Sequence, residues 1–165
     1  MRHGRLARVV DTVVYPRNHD DVEHIVRLAS QHNVVLMPYG GGTNVTHALL
    51  LPNEETRPIV SIDMAKMNHV KMVDRENMVA LVEAGIGGKD LERELERYGV
   101  GAGHEPDSYE FSTLGGWIST RASGMKKNRY GNIEDIVITL KVVTPQGTWV
   151  RPCSAPRIST GPELN

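Results

Sequence analysis

The hydrophobic positions of this chain switch repeatedly between helical spacing and strand spacing. Apolar residues at positions 22, 25, 26 and 29 predict an amphipathic helix, which Asp20 and Glu23 open as a capping box and Asn33 ends. The continuous apolar runs Val34–Met37 and Ile59–Ile62 predict strands, and the first run is typical of a strand buried on both faces. The N-terminal part of the chain therefore predicts a small α/β unit.

Further predicted elements continue the same alternation. They are a hairpin of Val70–Met72 and Met78–Val82 across the turn Asp74–Asn77, a helix through Leu91 and Leu95 that Gly99 ends, a short helix at Thr113–Ser123, and a strand at Ile136–Val143 that turns into Thr148–Val150. Residues 100–112 carry no regular pattern. The expected fold class is α+β, built from α/β subdomains.

Length and composition narrow the class of protein. The 165 residues give room for one domain with a core, or for two small packed subdomains. With 39% hydrophobic and 24% charged residues the chain is folded rather than disordered, and a net charge of -1 with dispersed Lys and Arg gives no footprint for nucleic acid. Cys153 is the single cysteine, which excludes an internal disulfide. The 16 glycines indicate loops whose backbone closely approaches a ligand.

The glycine loop, Pro38–Asn44, follows the predicted strand Val34–Met37 and contains three consecutive glycines. Without side chains there, successive backbone N–H groups can point towards an anion, and the Thr and Asn that follow add side-chain donors. A pyrophosphate needs this chemistry. An ordinary flexible turn has the same composition, so this motif alone does not separate the two interpretations.

A second segment, Asp107–Thr113, precedes a predicted helix whose first turn holds Gly115 and Gly116. Glycine weakens a helix relative to alanine, so two glycines in one turn indicate a ligand that comes close. The positive end of the helix dipole would favour a negative group there. Ser112 or Thr113 can also act as a plain N-cap, and both roles can coexist.

A third segment, Thr120–Ser123, ends the same predicted helix. The planar guanidinium of Arg121 can bind a phosphate or position the edge of a flat cofactor. The basic residues that follow, Lys126, Lys127 and Arg129, form a basic turn, and for the two lysines a solvated surface role is favoured.

Several familiar sites do not match. Gly85–Asp90 lies between a predicted strand and a helix, but Asp90 stands where a dinucleotide fingerprint needs Gly and where a P-loop needs Ser or Thr. No spacing of His, Cys and carboxylates predicts a metal site. Of the seven His, only His104, beside Glu105 in the irregular stretch, is of functional interest.

Together these segments resemble the FAD-binding domain of the vanillyl-alcohol oxidase superfamily, and they are most similar to the alkylglycerone-phosphate synthase family of ether-lipid enzymes. The stretches that carry this closer resemblance are Gly103–Ser108, Phe111–Thr113, Gly115–Trp117, Ser119–Asn128, Tyr130–Asp135 and Arg157–Pro162. The likeness extends over nearly the whole chain, from the helix at Asp20 onward.

The resemblance implies a PCMH-type FAD-binding domain of two packed subdomains, residues 8–65 and 66–165, incomplete at its C-terminal side. FAD runs between the subdomains and is held noncovalently. Enzymes of this family exchange the acyl chain of acyl-dihydroxyacetone phosphate for a long-chain fatty alcohol, with flavin N5 as the nucleophile and no net oxidation. The family also implies a peroxisomal location, peripheral membrane association and a homodimer.

The same resemblance assigns FAD binding to the three segments. The residues are Pro38, Tyr39, Gly40, Gly41, Gly42, Thr43 and Asn44; Asp107, Ser108, Tyr109, Glu110, Phe111, Ser112 and Thr113; and Thr120, Arg121, Ala122 and Ser123. It implies no metal. We expect the catalytic residues to lie outside this chain, which we interpret as a fragment of a longer flavoenzyme.

Two alternatives stay open at this point. An FAD-linked oxidase or dehydrogenase of a 2-hydroxy acid would share the glycine loop but not the Met125–Asn128 region, and its substrate would reduce the flavin. The other alternative is a truncated, non-enzymatic module that binds a partner or nothing, and absence of bound flavin in the full-length protein would favour it.

Overall fold

The computed structural model describes residues 8–150, so Cys153 and Arg157–Pro162 lie outside the described residues. The helices and strands, in chain order, are β1 Thr12–Val14, α1 His19–Gln31, β2 Val35–Tyr39, β3 Ile59–Asp63, β4 Val70–Asp74, β5 Val79–Val82, α2 Gly88–Glu96, α3 Leu114–Thr120, α4 Lys127–Tyr130, α5 Ile133–Ile136, β6 Lys141–Thr144 and β7 Gly147–Val150. None of the helices within residues 8–150 combines the length and apolar character needed to cross a membrane.

Strands β1, β3 and β2 form a parallel sheet with β3 in the middle. Parallel strands need crossover connections, and α1 supplies the one from β1 to β2 on the opposite side of β3. The central strand buries Ile59 and Ile62. Strand β2 lies at the sheet edge and is half-buried, so the expectation that it is buried on both faces is wrong.

Helix α1 begins two residues earlier than its predicted capping box. The N-cap is Asn18, whose side chain accepts a hydrogen bond from the backbone N–H of Asp21 at 2.9 Å. The predicted box of Asp20 and Glu23 is therefore wrong. Asp20 and Asp21 instead lie in the first turn, where their negative charge stabilises the helix dipole.

The main core lies between the β4–β5 hairpin and the helices that follow it. Its buried members are Ile86, Leu91, Leu95, Trp117 and Ile133. Inward-facing valines of the hairpin pack on this cluster, whereas Met72 and Leu81, which are paired across the two strands, face outward.

The strand predicted at Ile136–Val143 is wrong in its first half. Asn132 and Asp135 form a capping box that starts α5, and the N–H of Val137 donates to the carbonyl of Ile133. Strand β6 begins only after this turn and pairs with β7 in an antiparallel hairpin that packs against α1. A parallel sheet, two antiparallel hairpins and packed helices confirm the α+β fold class. The division into two subdomains near residue 65 remains a prediction.

Candidate functional site

The glycine loop begins at the carboxyl end of β2, the end of a parallel sheet at which α/β proteins bind ligands. It touches the Asp107–Thr113 segment directly. A Cβ atom added to Gly40 would lie 2.3 Å from Thr113 Oγ1, and one added to Gly41 would lie 1.9 Å from the carbonyl oxygen of Phe111. Both distances are far below van der Waals contact. The structure therefore brings these two predicted segments together, and glycine is required for their contact.

Other features of the glycine loop fix its own shape. Gly42 has φ +66° and lies beside the Tyr39 ring, whose hydroxyl would be 2.8 Å from an added Cβ. The Asn44 side chain accepts a hydrogen bond from the N–H of Ala48 at 2.9 Å. Asn44 therefore holds the loop with its oxygen and has its amide N–H groups left as donors.

The start of α3 is the predicted anion site. Its first three N–H groups already have protein acceptors: Leu114 donates to the Ile86 carbonyl at 3.0 Å, Gly115 to the Ala84 carbonyl at 2.8 Å, and Gly116 to Thr113 Oγ1 at 3.3 Å. These bonds use the first three N–H groups of α3, and a negative group bound at this helix start stays a prediction. Thr113 is the N-cap, as the plainer interpretation predicted.

The two glycines of α3 have a packing explanation. A Cβ on Gly115 would approach both the Cβ and the carbonyl oxygen of Ala84 to 3.0 Å. Gly116 is exposed and would meet only Thr113 Oγ1, at 3.3 Å. Close packing of α3 on the chain at Ala84 therefore accounts for Gly115, and a nearby ligand is not needed to explain it.

The Asp107–Thr113 segment is a tight turn with one buried and one exposed side. Ser112 Oγ accepts a hydrogen bond from Trp117 Nε1 at 2.7 Å, which ties the segment to the core. Tyr109 stacks on the same Trp117 ring with centroids 6.5 Å apart. Burial, with nearby carboxylates, raises the pKa of Tyr109, so its phenol is a neutral donor at physiological pH. The exposed side carries Asp107, Ser108, Glu110 and Phe111.

The Thr120–Ser123 segment lies at the opposite end of α3. Seven helical residues at 1.5 Å per residue place it about 10 Å from Thr113. Thr120 Oγ1 donates to the Gly116 carbonyl and Ser123 Oγ to Asn132 Oδ1, each at 2.9 Å. Ala122 caps the helix through its N–H bond to the Trp117 carbonyl. The structure thus groups two segments directly and sets the third one helix length away.

Arg121 is the exception in this segment. Its backbone is left-handed, with φ 48° and ψ 53°, at the C-cap of α3. Its side chain is exposed, and within residues 8–150 the guanidinium has no hydrogen-bond or ion-pair partner. The alternative that Arg121 ties the helix to a neighbouring loop has no contact to support it among these residues.

The buried carboxylate of Glu83, which the sequence analysis did not single out, holds the chain segment that accepts a hydrogen bond from α3. Glu83 is 8% exposed, and it accepts hydrogen bonds from the backbone N–H of His69 at 3.0 Å and from its ring at 2.9 Å, beside an ion pair to Lys71 at 2.9 Å. Burial works to raise its pKa, but these partners outweigh burial and lower it. Glu83 anchors the chain at Ala84, whose carbonyl receives α3.

Replacing Glu83 with glutamine should lower the free energy of unfolding by about 1–3 kcal/mol at neutral pH, because the buried charge-assisted hydrogen bonds are lost. The wild-type contribution is present above the usual carboxyl pKa, and it should disappear as the pH falls through the lowered pKa of the folded protein. Urea unfolding at several pH values measures both effects. Glu76→Gln, in an exposed turn, is the control, and an equal loss there would contradict the assignment.

The described residues fit a phosphate-containing, elongated cofactor. Two of the segments are in direct contact, and the third lies about 10 Å away and carries the exposed side chain of Arg121. The exposed carboxylates of Asp107 and Glu110 suit sugar hydroxyl groups, which donate hydrogen bonds, rather than phosphates. Within residues 8–150 no three His, Cys, Asp or Glu residues are grouped to hold a metal ion.

Known proteins resemble this chain over its whole length. It is 49% identical over 165 residues to alkyldihydroxyacetonephosphate synthase of Caenorhabditis elegans, covering 100% of this chain and 28% of that protein, and 37% identical to the mitochondrial cytochrome D-lactate dehydrogenase of Arabidopsis thaliana, covering 94% and 26%. A solved alkyldihydroxyacetonephosphate synthase superimposes with a TM-score of 0.82 at 46% identity, covering 85% of this chain and 25% of that one. The chain therefore spans about a quarter of the length of these relatives.

The family described as the FAD binding domain matches residues 10–152, which include all three segments. This match covers most of the chain, and the resemblance to alkyldihydroxyacetonephosphate synthases that the sequence indicated is confirmed. The chain therefore belongs to the FAD-binding domain family, and FAD is its cofactor.

Proposed function

We propose that the protein carrying this domain is an alkylglycerone-phosphate synthase. It exchanges the acyl chain of acyl-dihydroxyacetone phosphate for a long-chain fatty alcohol, so that a C–O bond to the fatty acid breaks and an ether C–O bond forms. The fatty acid leaves with the oxygen of the broken bond, and there is no net oxidation. When bound, the flavin supplies the nucleophilic centre for this exchange.

The difference in identity between two groups of relatives carries this proposal. Identity is 46–49% to the three synthases but 30–37% to the lactate dehydrogenases and the glycolate oxidase subunit. The second group supports the alternative of a 2-hydroxy-acid dehydrogenase, which uses the same cofactor with a different substrate.

The deciding experiment gives the full-length holoprotein either the substrates of the synthase or those of a 2-hydroxy-acid dehydrogenase. With acyl-dihydroxyacetone phosphate and a labelled fatty alcohol, we expect the alkyl ether and free fatty acid in equal amounts, and a flavin spectrum that returns to its starting form once the substrates are consumed, because there is no net oxidation. Bleaching of the flavin by D-lactate or glycolate under anaerobic conditions, without ether formation, would overturn the proposal in favour of the dehydrogenase.

The residues of this chain would bind and orient the cofactor. We assign the diphosphate region to the glycine loop, sugar hydroxyls to Asp107 and Glu110, and an anionic edge to Arg121. Phe111, 71% exposed in the middle of its segment, offers an apolar surface to a planar ring. The catalytic groups that act on the substrate are expected outside this chain.

The FAD should be bound noncovalently, because Thr43 and Asn44 follow the glycines where a tethering side chain such as His would be needed. Precipitation of the holoprotein with acid should release yellow flavin into the supernatant. Flavin that stays with the washed pellet would contradict noncovalent binding. Proteolysis of that pellet and chromatography would then find the flavin attached to one peptide.

The proposal extends to the location and assembly of the whole protein. We expect peroxisomal targeting, peripheral association with the membrane and a homodimer, as the resemblance implies. Co-localisation of the tagged full-length protein with a peroxisomal marker, and its mass in sedimentation equilibrium, test these points separately.

A further inference from the structure

His104 is the most deeply buried titratable side chain of the candidate site, at 2% exposure. It lies in the irregular connection between α2 and α3. Its ring meets the Trp117 ring edge-on, with centroids 5.2 Å apart and planes at 64°. On the other side is Gly124, where an added Cβ would lie 3.0 Å from His104 Nδ1. The imidazole is therefore enclosed between α3 and the turn that follows α3.

The two ring nitrogens of His104 have no hydrogen-bond partner within residues 8–150. Leaving a buried polar group unpaired costs about 1–3 kcal/mol. An aromatic ring without nitrogens would fill the same space against Trp117 without that cost. A polar ring at this position therefore lowers stability, and buried groups of this kind are typical of functional sites.

The segment of His104 is joined to the turn after α3 by backbone and side-chain contacts. The N–H of Met125 donates to the Glu105 carbonyl at 2.8 Å, and the Lys126 ammonium is hydrogen-bonded to the Glu105 carboxylate. The turn begins directly after the Thr120–Ser123 segment. A displacement of the His104 ring would therefore move this segment through Gly124.

We propose that His104 is a positioning residue for the Thr120–Ser123 segment, and that the segment takes its FAD-binding conformation only while the buried imidazole is neutral. This inference rests on the proposed FAD-binding role of that segment. It makes the site sensitive to acid: a proton on His104 places an unpaired charge in the core, and the ring can regain solvation only if the turn at Gly124 opens.

The groups around His104 are consistent with a neutral ring. They are Glu134 on α5, the paired Glu105 and Lys126, Tyr109 beside Trp117, and Tyr130 on α4 with Arg129 over its ring at 5.1 Å. Burial lowers the pKa of His104, and only Glu134 opposes that shift. Because the folded pKa lies below the unfolded value, stability is full above the unfolded pKa and falls as the pH drops below about 6.5.

The test measures FAD binding to the full-length apoprotein at about pH 7.5 and at about pH 5.5. Quenching of the flavin fluorescence reports the binding. In wild type the dissociation constant should rise several-fold, up to about tenfold, at the lower pH, because one linked proton changes affinity by up to about tenfold per pH unit and acts only below the lowered pKa of His104. In His104→Phe, whatever the affinity at the higher pH, the dissociation constants at the two pH values should agree within about twofold, because no proton is linked to binding at this position. His32→Gln, an exposed histidine outside the site, should behave as wild type.

His104→Gln and Gly124→Ala provide second readings if the phenylalanine variant does not fold. The glutamine variant should also lose the acid-induced rise, because glutamine does not titrate. The alanine variant should weaken FAD binding at both pH values, because its Cβ pushes against His104. An acid-induced rise that persists in both His104 variants overturns this inference while leaving the FAD site intact. A wild-type protein that binds no FAD at either pH overturns the proposed cofactor site and this inference together.

Discussion

Replacing Gly41 with alanine should reduce FAD occupancy by more than about tenfold and destabilise the domain in the same step. The new Cβ would lie 1.9 Å from the Phe111 carbonyl oxygen and 2.7 Å from its carbonyl carbon. Both atoms are backbone, so no side-chain rotation relieves the overlap, and the two segments must separate. Overpacking of this kind costs about 1–3 kcal/mol, equivalent to about 5–150-fold in a coupled binding equilibrium.

The measurements are flavin absorbance per purified full-length protein and the midpoint of thermal unfolding of the apoprotein. Gly87→Ala is the matched control, because an added Cβ there meets nothing closer than 4.0 Å and the backbone φ is -77°. Gly41→Ala should lose both flavin and stability while the control keeps both. Normal FAD occupancy in Gly41→Ala would disprove the assignment of this loop to the cofactor.

The sequence predicts where the glycine loop is, but it does not show that a distant protein segment approaches two of its glycines. Three consecutive glycines after a buried strand indicate close approach, and close approach is what the structure contains. The approaching atoms at Gly40 and Gly41, however, belong to Phe111 and Thr113. A local pattern shows that a side chain is excluded, but it does not show whether a ligand or a distant segment excludes it.

The hydrogen bonds at the start of α3 show the same limit of local patterns. Dipole and glycine arguments treat the helix as isolated, whereas Leu114 and Gly115 donate to Ile86 and Ala84, residues nearly thirty positions earlier. Only the tertiary fold supplies those acceptors. The Thr113 N-cap, by contrast, was predictable, because N-capping depends on residues three positions apart.

The spacing of apolar residues located most helices and strands, because it reflects which face of each single element is buried. It missed β1, whose three residues are too few to show a repeat, and it extended the strand at Ile136–Val143 across the capping box at Asn132. The sequence also assigned no role to Glu83, and it singled out His104 without assigning it one. Both are polar residues whose burial depends on packing between segments distant in the chain.

Replacing Arg121 with glycine should change FAD affinity and the stability of the domain in opposite directions. A left-handed backbone costs an ordinary residue roughly 1–2 kcal/mol, which is why glycine usually occupies this position after a helix. The guanidinium recovers none of that cost through hydrogen bonds or ion pairs within residues 8–150. A residue that is unfavourable for the fold and makes no such contact is best explained by what it binds.

Arg121→Gly should therefore raise the free energy of unfolding of the apoprotein by about 0.5–1 kcal/mol, after allowance for the greater entropy of glycine in the unfolded chain. The same change should weaken FAD binding by about tenfold or more, because charge-assisted hydrogen bonds contribute about 1.5–3 kcal/mol. Arg121→Lys keeps the charge and the left-handed cost, so it should bind FAD with intermediate affinity and show no gain in stability. Denaturant unfolding and flavin titration on the three full-length proteins decide the matter. If glycine leaves the affinity unchanged, Arg121 is not a cofactor ligand. If glycine lowers the stability, the side chain has a structural role.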